Sequence, residues 1–178
     1  APRGNLPTIA PTRSITPTVA PTPKTSGPIM LGKFIKTLNY TAPNAAIVHV
    51  EVNALPGKNA YVNAETPFPA LPSELVGADW VQADDRDSTY SAVDLMEIAV
   101  SAASTVTIAH DDRLPRPAWL TKQFKSTGAK IVVMGQTLSL FSHGTKKDAS
   151  LTLGANTDDT RIKEAAMYIV FVNGSAVK

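Results

Sequence analysis

Short runs of Val, Ile and Thr, separated by turn signals, recur from Ile29 to Val172 and constrain the fold more than any other feature of the sequence. Apolar and polar side chains alternate in the runs 47–52 and 105–109, and this period of two is typical of a half-buried strand. No long helical pattern accompanies these runs. The sequence therefore predicts an all-β fold, an antiparallel, jelly-roll-like β-sandwich over residues 29–178.

The predicted strands are 29–38, 46–52, 59–63, 78–82, 93–100, 105–110, 130–134, 136–142, 150–153 and 166–172. Single helical turns are expected at 73–76 and 117–124. A body of about 150 residues can bury a core without cross-links, and the chain has no cysteine. Disulfide scaffolds and thiol catalysis are thereby excluded. The core should contain Trp80, Ile47, Val50 or its alternating partners, Leu95, Ile108, Leu153 and Ile169.

The first 28 residues differ in composition from the rest of the chain. They contain seven prolines and six threonines, and the segment 7–12 (PTIAPT) recurs as 17–22 (PTVAPT). Proline fixes φ and lacks an amide donor, so residues 1–28 are predicted to form an extended arm or stalk. O-glycosylation candidates in this arm are Thr8, Thr12, Thr16, Thr18, Thr22 and Thr25.

Charge is distributed unevenly along the chain. Residues 1–50 carry five bases and no acid, whereas the remainder carries 12 bases and 15 acids, a net charge of −3. A basic arm and an acidic body favour docking of the arm on another copy, which would grow into a homopolymeric filament. The arm residues expected to enter pockets of the neighbouring copy are Leu6, Ile9, Ile15 and Val19.

Other partners are less compatible with the sequence. Five bases spread over 50 residues make a thin footprint for nucleic acid, so no nucleic-acid partner is expected. Apolar runs are interrupted well before the roughly 18 residues that a membrane span requires. The chain begins at Ala1 without an initiator Met, and we expect a processed or excised segment.

Several segments of the body carry a family resemblance. They are Glu74–Gln82 (ELVGADWVQ), Asp84–Asp87 (DDRD), Val106–Leu120 (VTIAHDDRLPRPAWL), Ser150–Asn156 (SLTLGAN) and Ala166–Val172 (AMYIVFV). Over residues 58–172 this order resembles the small β-sandwich modules appended to secreted bacterial pectate lyases and to other polysaccharide-active or surface proteins. The resemblance implies a secreted, extracellular or cell-surface module that is non-catalytic and binds carbohydrate. Residues 1–50 have no counterpart in it.

A carbohydrate site is predicted around Trp119, which lies near four bases in the sequence: Arg113, Arg116, Lys122 and Lys125. An indole face can stack on a sugar ring, and flanking cations can pair with uronate carboxylates. This combination fits an acidic plant or algal polysaccharide. The alternative is that Trp119 closes the edge of the sandwich and that the bases are solvated.

Acidic residues and histidines are weaker candidates for metal ligands. Asp84, Asp85 and Asp87, with Asp111 and Asp112, could supply oxygen ligands for Ca²⁺ if their loops converge, although the spacing is not that of an EF-hand. Pairing with Arg86 or Arg113 is the alternative. The three histidines, His49, His110 and His143, lack ligand-like spacing. No cofactor is expected.

The sequence shows no nucleophile elbow, phosphate loop or His-Glu-x-x-His motif, so no catalytic residue is predicted and the chain is not expected to be an enzyme. Asn39 and Asn173 head N-glycosylation sequons. The leading hypothesis is a self-assembling extracellular structural subunit. The alternative is a carbohydrate-binding module with the arm as interdomain linker, and the third is a small polysaccharide-active enzyme.

Overall fold

Residues 31–175 are described by a computed structural model, and residues 1–30 and 176–178 lie outside that range. Within it the chain forms nine strands, one α-helix and one 3₁₀ helix. In chain order these are β1 (Ile35–Tyr40), β2 (His49–Glu51), β3 (Asp79–Gln82), the 3₁₀ helix (Asp85–Thr89), β4 (Met96–Val100), β5 (Ser104–Asp111), α1 (Ala118–Gln123), β6 (Lys125–Val133), β7 (Gln136–Thr145), β8 (Ser150–Leu153) and β9 (Ile169–Gly174).

The strands form two sheets. One has three strands in the order β1-β4-β8, and the other has six in the order β2-β3-β9-β5-β7-β6. Every neighbouring pair is antiparallel. The prediction of an all-β, antiparallel β-sandwich is confirmed.

β9 is the strand on which both layers of the core meet. Its residues Ile169–Val172 are all buried. On one face, Phe171 contacts Phe68 from the connection between β2 and β3, with ring centroids 5.6 Å apart. On the opposite face of the same segment, Tyr168 contacts Trp119 of α1, with centroids 5.3 Å apart. Because neither face meets water, the sequence here is a continuous apolar run without alternation.

The predicted core is largely correct. Six of its residues are buried: Val50, Trp80, Leu95, Ile108, Leu153 and Ile169. Ile47 is an error, since 46% of it is exposed. Its amide donates to the Asn44 carbonyl in a turn, and β2 starts only at His49. The alternating pattern at 47–52 therefore begins before the strand does.

The predicted strand at 59–63 is also wrong. This segment makes a single bridge, between Asn59 and Pro67, and otherwise lies in the connection that covers the six-stranded sheet. The Tyr61 amide donates to the Thr66 hydroxyl, and the Tyr61 hydroxyl donates to the Met167 carbonyl. The apolar residues of this segment are buried because they pack over the sheet, not because they form one of its strands.

Two of the strand starts that differ from the prediction have local causes. β1 starts at Ile35 because the buried Asp79 carboxylate accepts hydrogen bonds from the amides of Phe34 and Ile35, at 2.6 and 2.8 Å, which holds residues 31–34 in a turn. β6 starts at Lys125, earlier than predicted, and continues through an irregularity in register. Gly128, with φ of +79°, makes that bulge possible.

The helical turn predicted at 117–124 is α1, whereas 73–76 is a hydrogen-bonded turn. None of the helices formed by residues 31–175 has the length and apolar character needed to cross a membrane. The predictions for the arm fall outside the described residues. They concern the assembly residues Leu6, Ile9, Ile15 and Val19 and the O-glycosylation candidates Thr8, Thr12, Thr16, Thr18, Thr22 and Thr25.

Candidate functional site

Trp119 is anchored by one edge of its indole. The Nε1 group donates a 2.8 Å hydrogen bond to the Ala155 carbonyl, and the ring meets those of Phe124 and Tyr168 at centroid distances of 6.1 and 5.3 Å. A β-carbon at Gly154 would lie 2.7 Å from the indole Cδ1. A glycine is therefore required beneath the ring, and the side chain closes one edge of the sandwich as the alternative proposed.

Trp119 nevertheless also lines a cleft. This Trp119 cleft has a volume of about 220 Å³ and is formed by Ser91, Ala92, Val93, Ala118, Trp119, Gly154, Ala155 and Asp158. Val93 is 90% exposed, so the cleft presents an aliphatic and aromatic surface to solvent. A carboxylate and a hydroxyl border that surface. Apolar ring contact with polar groups at the edge is the arrangement that a sugar ring requires.

A second cleft of about 430 Å³ adjoins the first through their shared residue Asp158. It is lined by Arg116, Thr160 and Arg161 among others. The Arg161 guanidinium is bound to Asp159 at 2.7 Å and is largely exposed. The two clefts thus lie on either side of Asp158.

The structure separates the predicted cations. Arg113 is directed to a different cleft, of about 470 Å³, which Arg86 also lines. Lys122 is exposed on α1, three residues after Trp119, the spacing that places two side chains on the same side of a helix. Lys125 is the first residue of β6 and pairs with Ser142 of β7. The five predicted residues thus do not form one site.

Arg116 is held by three groups. It pairs with Asp112 at 2.5 Å, lies 5.0 Å from the centroid of the Phe141 ring, and donates from Nη1 to Nδ1 of His110 at 2.6 Å. The other ring nitrogen of His110 donates to the Asn156 carbonyl. His110 is therefore neutral, and its burial lowers its pKa to about 4. Arg116 is structural and only partly free to meet a ligand.

The acidic candidates for calcium are satisfied by protein donors. The tripeptide Asp-Asp-Arg occurs at 84–86 and at 111–113, and in both copies the Arg side chain turns back onto the fully buried first Asp at 2.6 Å. Hydrogen bonds from Arg86 lower the pKa of Asp84. Asp87 accepts from Tyr40 and Asn44.

The second Asp-Asp-Arg tripeptide, at 111–113, also binds a backbone amide. Burial alone would raise the pKa of Asp111, but hydrogen bonds from Arg113 and from the Ala166 amide hold it below its usual value. Burial raises the pKa of Asp85, which accepts from the Met167 amide. Among residues 31–175 no group of three or more His, Asp or Glu side chains is arranged to hold a metal ion. Pairing with arginine, the alternative to calcium, is observed at Asp84 and Asp111.

The remaining polar candidates lie apart from one another. His49 bonds Glu51 at 2.9 Å on the edge strand β2, and the His143 ring packs against Phe124. Of the sequons, Asn39 is exposed on β1, whereas the Asn173 side chain donates to the Glu74 carbonyl. Asn39 is thus the more accessible acceptor.

Sequence reasoning missed a groove on the six-stranded sheet. This sheet groove has a volume of about 410 Å³ and is lined by Glu74, Leu75, Thr105, Thr107, Thr127, Ser142, Phe171, Asn173 and Gly174. The available signal was the Thr-Val-Thr-Ile alternation at 105–108, which places two hydroxyls on one face of β5. Their partners come from distant segments and could not be assigned without the strand order.

Comparison with known proteins finds similarity to a segment of an enzyme that acts on carbohydrate. Over 140 residues the chain is 26% identical to a beta-glucuronidase of Formosa agariphila, an alignment that covers 79% of this chain and 14% of that protein. The structure of a beta-glucuronidase from glycoside hydrolase family 2 superposes with a TM-score of 0.74 at 26% identity, covering 78% of this chain and 14% of that one. No family model matches.

The chain therefore spans about 14% of the length of the relative and of the solved structure that it matches. The expected resemblance to a polysaccharide-active protein is supported. Its assignment to pectate lyases is not, because the similarity is to a segment of a glycoside hydrolase.

Proposed function

We propose that this chain is a non-catalytic β-sandwich module that binds a glycan and accompanies a carbohydrate-active protein. The observation that carries the proposal is the similarity to a segment of a beta-glucuronidase in both sequence and fold. Because that segment is 14% of the enzyme's length, an ancillary role accounts for the match better than a complete active site does.

The Trp119 cleft is the proposed contact with the sugar ring. Its Trp119 and Val93 side chains give an apolar surface for the C–H face of a pyranose, and Asp158 can accept hydrogen bonds from ring hydroxyls. Lys122, one turn along α1, supplies a cation for an acidic substituent. A polysaccharide that contains uronate units fits this combination. The same class of ligand is expected from the sequence for a carbohydrate-binding module.

Affinity electrophoresis tests the proposal with three variants. Val93→Glu places a carboxylate in the cleft at a position that is 90% exposed, so the fold should be retained. Retardation of the chain by polygalacturonate should fall at least tenfold for Val93→Glu and less for Lys122→Ala. Lys147→Ala, which removes an exposed lysine between β7 and β8, is the matched control. Equal retardation of Val93→Glu and wild type would contradict the assignment of the cleft.

The self-assembling subunit is a separate hypothesis that depends on residues 1–28. Those residues lie outside the described range, so it stays a prediction, as do the extracellular location and the glycosylation of the arm. It is compatible with the module proposed here, because an arm and a glycan-binding body occupy different parts of the chain.

A further inference from the structure

The strand register aligns five side chains in one row across the six-stranded sheet. From β3 to β6 the paired residues are Trp80, Phe171, Thr107, Ser142 and Lys125. Directly paired residues in antiparallel strands lie on the same face. The row therefore changes from buried aromatic rings at one end, through two hydroxyls, to an ammonium group at the other.

The centre of this row is the sheet groove. Phe171 and Leu75 give it an apolar floor and wall, and Thr105, Thr107 and Ser142 contribute hydroxyls. Two other polar side chains of the groove are already engaged, since Thr127 donates to the Leu140 carbonyl and Asn173 to the Glu74 carbonyl. The hydroxyls of Thr105, Thr107 and Ser142 have no such partner among residues 31–175.

Lys125 is directed to the same face by its strand pairing. It pairs with Ser142, which lines the groove. Adjacent strands are about 4.8 Å apart, a distance that a lysine side chain can span. Lys125 is exposed and makes no ion pair within the described residues, unlike Lys36 and Lys130.

The groove also has an acidic wall. Glu74 lies beside Asn173, on the side of the groove away from β6. A ligand with one carboxylate would therefore be repelled by Glu74 and attracted by Lys125, which fixes its direction in the groove.

We propose that the sheet groove binds a hexuronate unit of a polysaccharide, with its carboxylate on Lys125 and its ring hydroxyls on Thr107 and Ser142. The site is distinct from the Trp119 cleft. Its position and polarity follow from the groove itself, whereas the choice of a sugar as ligand rests on the proposed function.

Titration of the full chain, followed by the NMR shifts of its backbone amides, tests this site. The probes are sodium glucuronate and, as the uncharged analogue, glucose. Glucuronate should shift the amides of Thr105, Thr107 and Ser142, with a Kd in the millimolar range, about that of a weak single-unit ligand. Lys125→Ala should weaken glucuronate binding about tenfold and leave glucose unchanged. Lys125→Arg should retain binding, and Ser142→Ala should weaken both sugars.

The outcomes separate this inference from the proposed function. If Lys125→Ala binds glucuronate as wild type does, or if glucuronate shifts only amides around Trp119, the inference is overturned while glycan binding by the module stands. If the chain is not retarded by any polysaccharide but glucuronate still shifts the groove amides in a Lys125-dependent way, the proposed function fails and the groove assignment is supported.

Discussion

Arg116 donates a hydrogen bond to Nδ1 of the buried His110, so an arginine occupies the position at which a histidine would otherwise bind a second proton. Protonation of this ring would place two cations 2.6 Å apart in a buried site. The pair supports the cleft of about 430 Å³ that Arg116 lines and makes the fold sensitive to acid.

Stability should therefore fall between pH 6.5 and pH 4. The pKa of His110 is about 4 in the folded state and about 6.5 when unfolded. The unfolded state binds more protons in this window, so the free energy of unfolding decreases as pH falls, by up to about 3 kcal/mol. Urea unfolding at pH 7 and pH 4.5 should show this decrease in wild type and in His49→Gln, whereas His110→Gln should show a smaller one. A pH dependence that is the same in His110→Gln would rule out this explanation.

Gly154→Ala should destabilise the fold by about 1–3 kcal/mol, because its β-carbon would overlap the Trp119 ring. Thermal unfolding of Gly154→Ala, Trp119→Ala and the double variant measures the coupling. The second substitution removes the overlap, so the two effects should be less than additive. Strict additivity would show that the two residues do not interact.

Three turns have the sequence Asp-x-Arg, at 84–86, 111–113 and 159–161. The aspartate side chain is fully buried in the first two and partly exposed in the third. Asp111 and Asp159 both bind the arginine two residues later, at 2.6 and 2.7 Å. The Asp111 side chain is fully buried and also accepts from the Ala166 amide. Asp111→Asn should therefore cost about 2–4 kcal/mol of unfolding free energy. Asp159→Asn, at the exposed turn, should change stability much less, and equal losses in denaturant unfolding would contradict this account.

The sequence predicted strands well where a single feature determined them. Alternation located β5, and the burial of Ile108 followed from it. It failed at Ile47 and at 59–63, because the same apolar pattern can start in a turn or cover a sheet face from a connection. An apolar pattern in the sequence indicates that a side chain is buried, but it does not indicate which element buries it.

The candidate sites were less predictable for a related reason. Trp119 was identified as a surface candidate, and it both closes the sandwich and lines a cleft. The sequence near it contains Arg113 and Arg116, but Asp111 holds Arg113 at a different cleft, and Asp112 holds Arg116 in the adjoining one. The sheet groove could not be predicted, since Thr107, Ser142 and Phe171 meet only through strand order.

The arm makes a prediction that is independent of the body. If residues 1–28 dock on a neighbouring copy, a chain beginning at Ile29 should be monomeric and retain the unfolding transition of the intact chain. Size-exclusion chromatography with light scattering, together with negative-stain imaging, compares the two forms. Assembly of the shortened chain to the same extent as the intact one would contradict a role for the arm.

The central claim is that this β-sandwich binds glycans that contain uronate units. A glycan array probed with the intact chain tests it most directly. The account predicts binding to glucuronate- or galacturonate-containing glycans in preference to their neutral counterparts, reduced at high salt because charge contributes to the contact. Absence of binding to every glycan on the array, by a chain shown to be folded, would contradict it.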